Sequence, residues 1–316
     1  MMKIERAVIS GATGAVGMAV VQECINRGME VLILCRNGST RALRIPQHPL
    51  LQVLYADMEK FSELEAGWKG DYDIFYHFAW TGTTGAARND MYLQNKNVKY
   101  TLDAVHLAKR LGCHTFIGAG SQAEYGRTQE KLCGGTPTNP ENGYGMAKLC
   151  AGQMSRQEAH MIGMRHIWTR ILSVYGPYDG QGSMISSLIS ALLERRVPSL
   201  TSGEQIWDYL YSEDAARAML MLGENGVDGK TYCLGSGEEK SLKEYIYMLR
   251  DAIDPTLRLG LGEVPYGDRQ VMYLCADPSE LMADTGFQPQ ISFETGIRKT
   301  IKWVKEEKER KTGRKI

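Results

Sequence analysis

Net charge is the first thing this sequence lacks. Its 37 Lys and Arg are balanced by 37 Asp and Glu, so no surplus of either sign would recruit nucleic acid or an anionic membrane. Apolar runs of membrane-spanning length are also missing, and the opening M-M-K-I-E-R-A-V-I-S has no signal-peptide core. The seven cysteines (Cys24, Cys35, Cys113, Cys133, Cys150, Cys233, Cys275) are odd in number and include no C-x-x-C spacing. That argues against a disulfide framework or zinc ligation and for reduced, buried thiols. No internal repeat or low-complexity linker is evident; the one biased segment, residues 305–315, reads as the solvated end of a last helix. The expectation is a cytoplasmic, soluble protein with no metal, nucleic-acid or membrane partner. A chain of 316 residues suggests about two domains.

What is present begins with glycine. An apolar strand at residues 7–9 runs into Gly11-Ala12-Thr13-Gly14-Ala15-Val16-Gly17, which opens a helix reaching about Arg27. Glycines at this spacing permit a tight turn, close approach of the backbone to a pyrophosphate, and close packing of helix on strand. The pyrophosphate would sit on the helix N-terminus, against free N–H groups and the positive end of the dipole. A second strand at 30–35 completes a βαβ dinucleotide site.

Where an NAD site usually places an acidic residue, this chain has Cys35-Arg36-Asn37, followed by Arg41 and Arg44. Arg36 could pair with a 2′-phosphate, which favours NADP(H) and leaves NAD(H) open; Arg36 as an exposed loop cation is the alternative. A third strand at 51–56 ends at Asp57, placed to accept from an adenine amino group or to cap the next helix. A fourth, at 72–80, is nearly all apolar, as in a parallel sheet covered on both faces; His77 inside it reads as a satisfied core residue. A helix spans about 89–111 and carries Asn95 and Asn97. A fifth strand, at 113–119, delivers Ser121 to the carboxyl end of the sheet, where doubly wound folds bind ligands. A helix then carries Tyr144 and Lys148 one turn apart on one face. A phenol titrating near ~10 is a poor proton exchanger at neutral pH, and a neighbouring cation would lower it. A sixth strand is expected at 165–175. This alternation predicts a doubly wound α/β sheet of the Rossmann type.

The residues together resemble an extended short-chain dehydrogenase/reductase of the sugar-nucleotide epimerase/dehydratase family. The resemblance runs over nearly the whole chain. It rests on the glycine loop, Asp57, H-x-A at 77–79, Asn97 with Thr101, Ser121 with Tyr125-Gly126, Tyr144 with Lys148, and Arg170 with Tyr175-Gly176-Pro177. It continues through W-D-Y-L-Y-S-E-D-A-A at 207–216, C-L-G-S-G at 233–237 and the segment 276–289. It implies Tyr144 as acid–base, Lys148 on the nicotinamide ribose, Ser121 on the reacting oxygen and Asn97 positioning the active-site helix. The cofactor would lie against Gly11, Thr13, Gly14, Ala15, Val16, Gly17, Asp57, Met58, Phe78, Ala79 and Trp80, with Arg36 and Lys148. The substrate would meet Ser121, Gln122, Ser173, Trp207 and Arg269.

The resemblance also implies discontinuous domains: residues 1–177 with about 207–240 for the dinucleotide, and about 178–206 with 241–316 as a smaller nucleotide-sugar lobe. Helices 89–111 and 144–162 would pair two subunits. Gln122-Ala123 stands where dehydratases of the family carry an Asp-Glu pair, with Glu124 one position late, which argues against dehydration. No cysteine in the Ser121 loop serves a C3/C5 epimerase. A 4-ketoreductase of 4-keto-6-deoxy sugars, resembling CDP-abequose and CDP-paratose synthases, is the leading expectation on Arg36; a 4-epimerase with retained NAD is the alternative, and a non-catalytic dinucleotide sensor the second. Relatives often have Asn at the Ser173 position and Arg at those of Trp207 and Gly267, so Arg269 would have to substitute in space. Trp207 stacks on a base or fills core.

Overall fold

The computed structural model describes residues 3–64, 71–180 and 182–312, with side chains to residue 310. Residues 1 and 2 of the expected first domain and the last residues of the charged tail lie outside that range. The chain runs β1 (Arg6–Ser10), α1 (Ala15–Asn26), β2 (Glu30–Cys35), β3 (Leu51–Tyr55), β4 (Ile74–His77), α2 (Met91–Arg110), β5 (Thr115–Ser121), α3 (Gly143–Met161) and β6 (Arg165–Ile171). There follow β7 (Ser173–Tyr175), α4 (Met184–Leu193), β8 (Ser199–Leu200), β9 (Ile206–Trp207), β10 (Tyr209–Tyr211), α5 (Ser212–Asn225) and β11 (Thr231–Leu234). The chain closes with β12 (Lys240–Ser241), α6 (Leu242–Ile253), β13 (Gly260–Leu261), β14 (Tyr273–Leu274), α7 (Ser279–Thr285) and α8 (Phe293–Thr312).

Seven of these strands form one parallel sheet in the order β11-β6-β5-β4-β1-β2-β3. The order reverses between β1 and β4, and the carboxyl ends of the strands at such a switch point are where doubly wound sheets bind ligands. Apolar strand residues fill both faces. Ile9, Val31, Ile33 and Tyr76 pack with Val20, Val21, Met219 and Leu222 of α1 and α5; Val8, Leu32, Phe75 and Phe116 pack with Ala104, Val105 and Ala108 of α2. A third core, around Tyr175, Ile189, Tyr245, Phe293 and Ile297, joins α4, α6 and α8. No helix among the described residues is long and apolar enough to cross a membrane.

Two expected strands differ. The fourth stops at His77 rather than Trp80; Phe78 N still donates to Ser10 O at 3.0 Å, and the backbone then leaves the sheet to pass over Gly11. The sixth is broken at Leu172, whose N–H donates to Leu234 O at 3.0 Å. Residues 173–175 leave the large sheet and pair with β10.

The buried Asp208 carboxylate ties distant segments together. It accepts from Ser236 N (2.8 Å), Ser236 Oγ (2.6 Å), Gly237 N (2.9 Å) and Ala276 N (3.0 Å). Asp214, equally buried, accepts from Gln290 N at 3.0 Å and Ile291 N at 2.9 Å.

Candidate active site

The turn from β1 into α1 is built for a ligand that needs backbone. Gly11 has φ +76°, and a methyl there would lie 2.5 Å from Ala79 N. A methyl at Gly17 would overlap Gly11 O. Those two glycines are demanded by the protein itself. At Gly14, the N-cap of α1, the nearest atom to an added methyl is Gly11 O at 3.9 Å. The space left there lies at a helix head with no acidic residue in its first turn, where Ala15 and Val16 present N–H groups without intrahelical acceptors. This is the cradle that a dinucleotide pyrophosphate requires, and it fits.

At the adenosine end Asp57 accepts from Asn37 N (3.2 Å) and Asn37 Nδ2 (3.3 Å). It makes no side-chain cap for the turn at Met58–Lys60. Asp57 thus fixes the loop after β2, and Met58 packs partly buried beside the second core. Arg36 is exposed and joins no side-chain hydrogen bond or ion pair among the described residues. Arg44 does better: its Nη1 donates to Thr13 O at 3.0 Å.

Toward the sheet centre three side chains converge. Asn142 caps α3, accepting from Gly145 N at 2.9 Å. A methyl at Gly145 would overlap Ala123 O, so α3 lies directly on the turn after Ser121. The Tyr144 phenol is thereby brought near Ser121, which acts on its titration. Arg88 lies over the Tyr144 ring at 4.3 Å and Trp80 packs edge-on to it at 6.1 Å. Lys148 is buried, donates Nζ to Ala119 O at 2.6 Å, and sits 3.8 Å from the Trp80 ring centroid. One carbonyl cannot satisfy an ammonium with three donors; the remaining capacity suits ribose hydroxyls.

Burial sets the electrostatics. It pushes the Tyr144 phenol up, opposed by the Ser121 hydrogen bond and by Arg88, with Glu124 adding to the rise. The sequence expectation of a phenol lowered by Lys148 is therefore corrected: desolvation dominates, and the nearby cation acting on the phenol is Arg88. Lys148 itself falls to about 7 through burial, with Glu124 pulling upward. The unfolded chain keeps that lysine protonated to a higher pH than the folded one. Between pH 7 and the ordinary lysine range the unfolded state therefore holds more protons, and stability rises with pH. Thermal melts of cofactor-free protein should show a midpoint climbing from pH 7 to 9.5, with the climb reduced in Lys148→Met. An equal climb in that variant would exclude Lys148 as the source.

Beneath the Ser121 turn lies a network that no sequence pattern announced. Glu124 is fully buried. Its carboxylate accepts from Ser121 N (2.8 Å), Trp168 Nε1 (3.1 Å) and Arg170 Nε (2.8 Å). Arg170 Nη1 also donates to Gly134 O at 3.2 Å. Glu124 therefore faces away from the crevice and holds Ser121 from below. His77 is the satisfied core residue expected, with Ser10 Oγ at 2.8 Å and Thr101 Oγ1 at 3.4 Å. Among the described residues the Asn97 side chain makes no hydrogen bond to α3. Its Nδ2 donates to Thr81 O (2.9 Å) and its Oδ1 accepts from Thr81 N (3.0 Å), pinning the segment that carries Ala79 and Trp80. The N-terminus of α3 itself is capped by Asn142.

On the substrate side Ser173 and Trp207 meet, with Trp207 Nε1 donating to Ser173 Oγ at 2.8 Å. Trp207 also packs with Leu132, Leu172 and Leu274, so it fills core on at least one face. Gln122 lies partly buried in the turn after Ser121. Arg269 is exposed and joins no side-chain hydrogen bond or ion pair among the described residues. The neighbouring cavity of about 720 Å³ is bordered instead by Arg127, Glu141, Tyr266, Asp268 and Gln270. Arg127 Nε donates to both Glu141 carboxylate oxygens at 3.0 Å, and its Nη1 to Asp268 O at 3.3 Å. Arg44, Arg88 and Arg127 escaped sequence reasoning because only folding brings each to its partner.

Comparison with known proteins agrees with this architecture. The profile of the NAD dependent epimerase/dehydratase family matches residues 7–235. A dTDP-glucose 4,6-dehydratase of Escherichia coli is 29% identical over 185 residues, covering 55% of this chain and 51% of that enzyme; the chain spans about half the length of the dehydratases it matches in this way. A putative UDP-glucose 4-epimerase of Methanocaldococcus jannaschii is 22% identical over 305 residues, covering 94% of this chain and 98% of that protein. Among solved structures, the UDP-N-acetylglucosamine 4-epimerase of Methanobrevibacter ruminantium M1, in complex with UDP-N-acetylmuramic acid, superposes with a TM-score of 0.86 at 21% identity. That match covers 97% of this chain and 100% of the other.

Proposed function

Because the chain belongs to the NAD dependent epimerase/dehydratase family, we propose that it moves hydride at C4 of a nucleotide-activated sugar, with Tyr144 exchanging the C4 hydroxyl proton. The observation that carries this reading is the convergence of Tyr144, Ser121 and Lys148 beside a glycine-loop cradle at one end of the sheet. Bound in that crevice, a nicotinamide dinucleotide would supply the hydride acceptor and donor. Lys148 would hold the ribose of its nicotinamide half, and Gly14 would leave room for the pyrophosphate. Ser121, whose N–H donates to Glu124, would hydrogen-bond the C4 oxygen and the phenol together. Arg88 over the Tyr144 ring favours the phenolate needed at the moment of proton abstraction.

The buried Glu124 speaks against dehydration, since an acid spent on Arg170 and Trp168 cannot eliminate water from a sugar. We place C4 epimerisation first, because a relative matched by sequence along nearly the whole chain is a putative UDP-glucose 4-epimerase by name, whereas the dehydratase sequences match about half of it. Reduction of a 4-keto-6-deoxy sugar with NADPH is the second reading, favoured by three arginines and the lack of any carboxylate in residues 36–50. Two copies would pair through α2 and α3, which expose Met91, Tyr92, Met154 and Met161.

The test is to release and identify dinucleotide from purified protein, then to offer UDP- and dTDP-hexoses and 4-keto-6-deoxy derivatives. Epimerisation predicts retained NAD and C4 epimers with no net change in nicotinamide absorbance. Stoichiometric NADPH consumption would install the reductase reading instead. Dinucleotide binding with no turnover of any sugar nucleotide would leave a sensor.

A further inference from the structure

The basic stretch between β2 and β3 contains three arginines, and the structure treats them differently. Arg36 and Arg41 are exposed, whereas Arg44 is partly buried. Arg44 ends the short turn Thr40–Arg44 and crosses to the glycine loop, donating Nη1 to Thr13 O at 3.0 Å. Thr13 directly precedes Gly14, the N-cap of α1. The guanidinium is braced from the other side by Tyr178, whose ring centroid lies 5.7 Å away. Tyr178 adopts φ +66°, a left-handed conformation rare for a bulky residue. It packs at 5.0 Å against Trp303 of α8. Burial lowers the Arg44 pKa, and Glu307 opposes that shift. A cation with five donors is thus held beside the phosphate cradle, with Nη1 donating to the loop.

We propose that Arg44, and not Arg36, is the residue by which this chain recognises phosphate on the adenosine half of its dinucleotide. The inference rests on the dinucleotide reading above. The shared chemistry is an anionic phosphate, which two sources can supply: the 2′-phosphate of NADPH, or the pyrophosphate common to both cofactors. Planarity makes Arg44 suited to it, since one edge can hold Thr13 O while the other faces an oxyanion. Its bracing by Tyr178 and Trp303 means that little side-chain entropy is lost on binding.

The experiment is fluorescence titration of cofactor-stripped wild type, Arg44→Met, Arg44→Lys and Arg36→Met with NADH and NADPH, at low and high salt. Arg44→Met should weaken at least one dinucleotide about tenfold or more, flatten the salt dependence of that binding, and be partly rescued by Arg44→Lys; Arg36→Met should change neither cofactor more than twofold. Loss confined to NADPH identifies the 2′-phosphate as the source, and equal loss the pyrophosphate. Wild-type affinity in Arg44→Met overturns the proposal. So does a loss that leaves the salt dependence unchanged, which would make Arg44 a brace for Thr13 alone. Wild type that binds neither dinucleotide would overturn the reading of function rather than the role of Arg44.

Discussion

Tyr144→Phe should lower turnover on the true sugar nucleotide by about 10² to 10⁴, the usual yield of one general acid–base group, while leaving dinucleotide affinity nearly unchanged. The variant deletes one oxygen and keeps the ring between Arg88 and Trp80, so the site should not collapse. The proposed cofactor contacts lie at the glycine loop and Lys148, which the substitution does not touch. Kinetics and cofactor titration on the same preparation separate the two terms. Turnover within threefold of wild type would remove Tyr144 from the chemistry. Weakened cofactor binding at unchanged kcat would show it to be a wall of the crevice.

The second large effect concerns Arg170. Replacing it with Met strands the Glu124 carboxylate in a site without solvent, and breaking such a buried pair typically costs about 3–5 kcal/mol. Trp168 Nε1 and Ser121 N would still donate to Glu124, which should hold the cost toward the lower end. Adding Glu124→Gln removes the stranded charge, so Arg170→Met/Glu124→Gln should recover part of the loss. Denaturant unfolding of the two single variants and the double completes the cycle. Strict additivity would mean that the pair does not act as a unit. Both single variants should also raise the KM for substrate, because Ser121 rests on Glu124.

Much of the architecture was legible because local rules and the global fold agree. Apolar runs bounded by glycine loops gave β1, β2 and β5 within two residues, and the one-turn spacing of Tyr144 and Lys148 gave the face of α3. What stayed hidden depends on distance along the chain. Arg170 meets Glu124 only because β6 lies beside β5 with Gly120 opposite Arg170. Arg44 meets Thr13 only because the β2–β3 connection folds back over the glycine loop. Composition showed three arginines and no carboxylate there, and it could not say which arginine turns inward. The break at Leu172 was invisible for a related reason: the segment remains apolar and extended on both sides, and only its hydrogen-bonding partner changes. The direction of the Tyr144 shift was misjudged because spacing reports neighbours, whereas desolvation depends on everything packed around them.

Asp208 carries a consequence for anyone recombining such proteins. One carboxylate there collects N–H groups from residues 236, 237 and 276, while β11 supplies the outermost strand of the large sheet. A chimera whose junction falls between residues 208 and 276 would therefore match this carboxylate with foreign partners. Transplanting specificity would call for several separate inserts, with the Asp208 crossing left native. Substitutions in the segments around residues 127–141 and 264–273, which border one cavity and are joined through Arg127 and Asp268, would leave the Asp208 crossing intact.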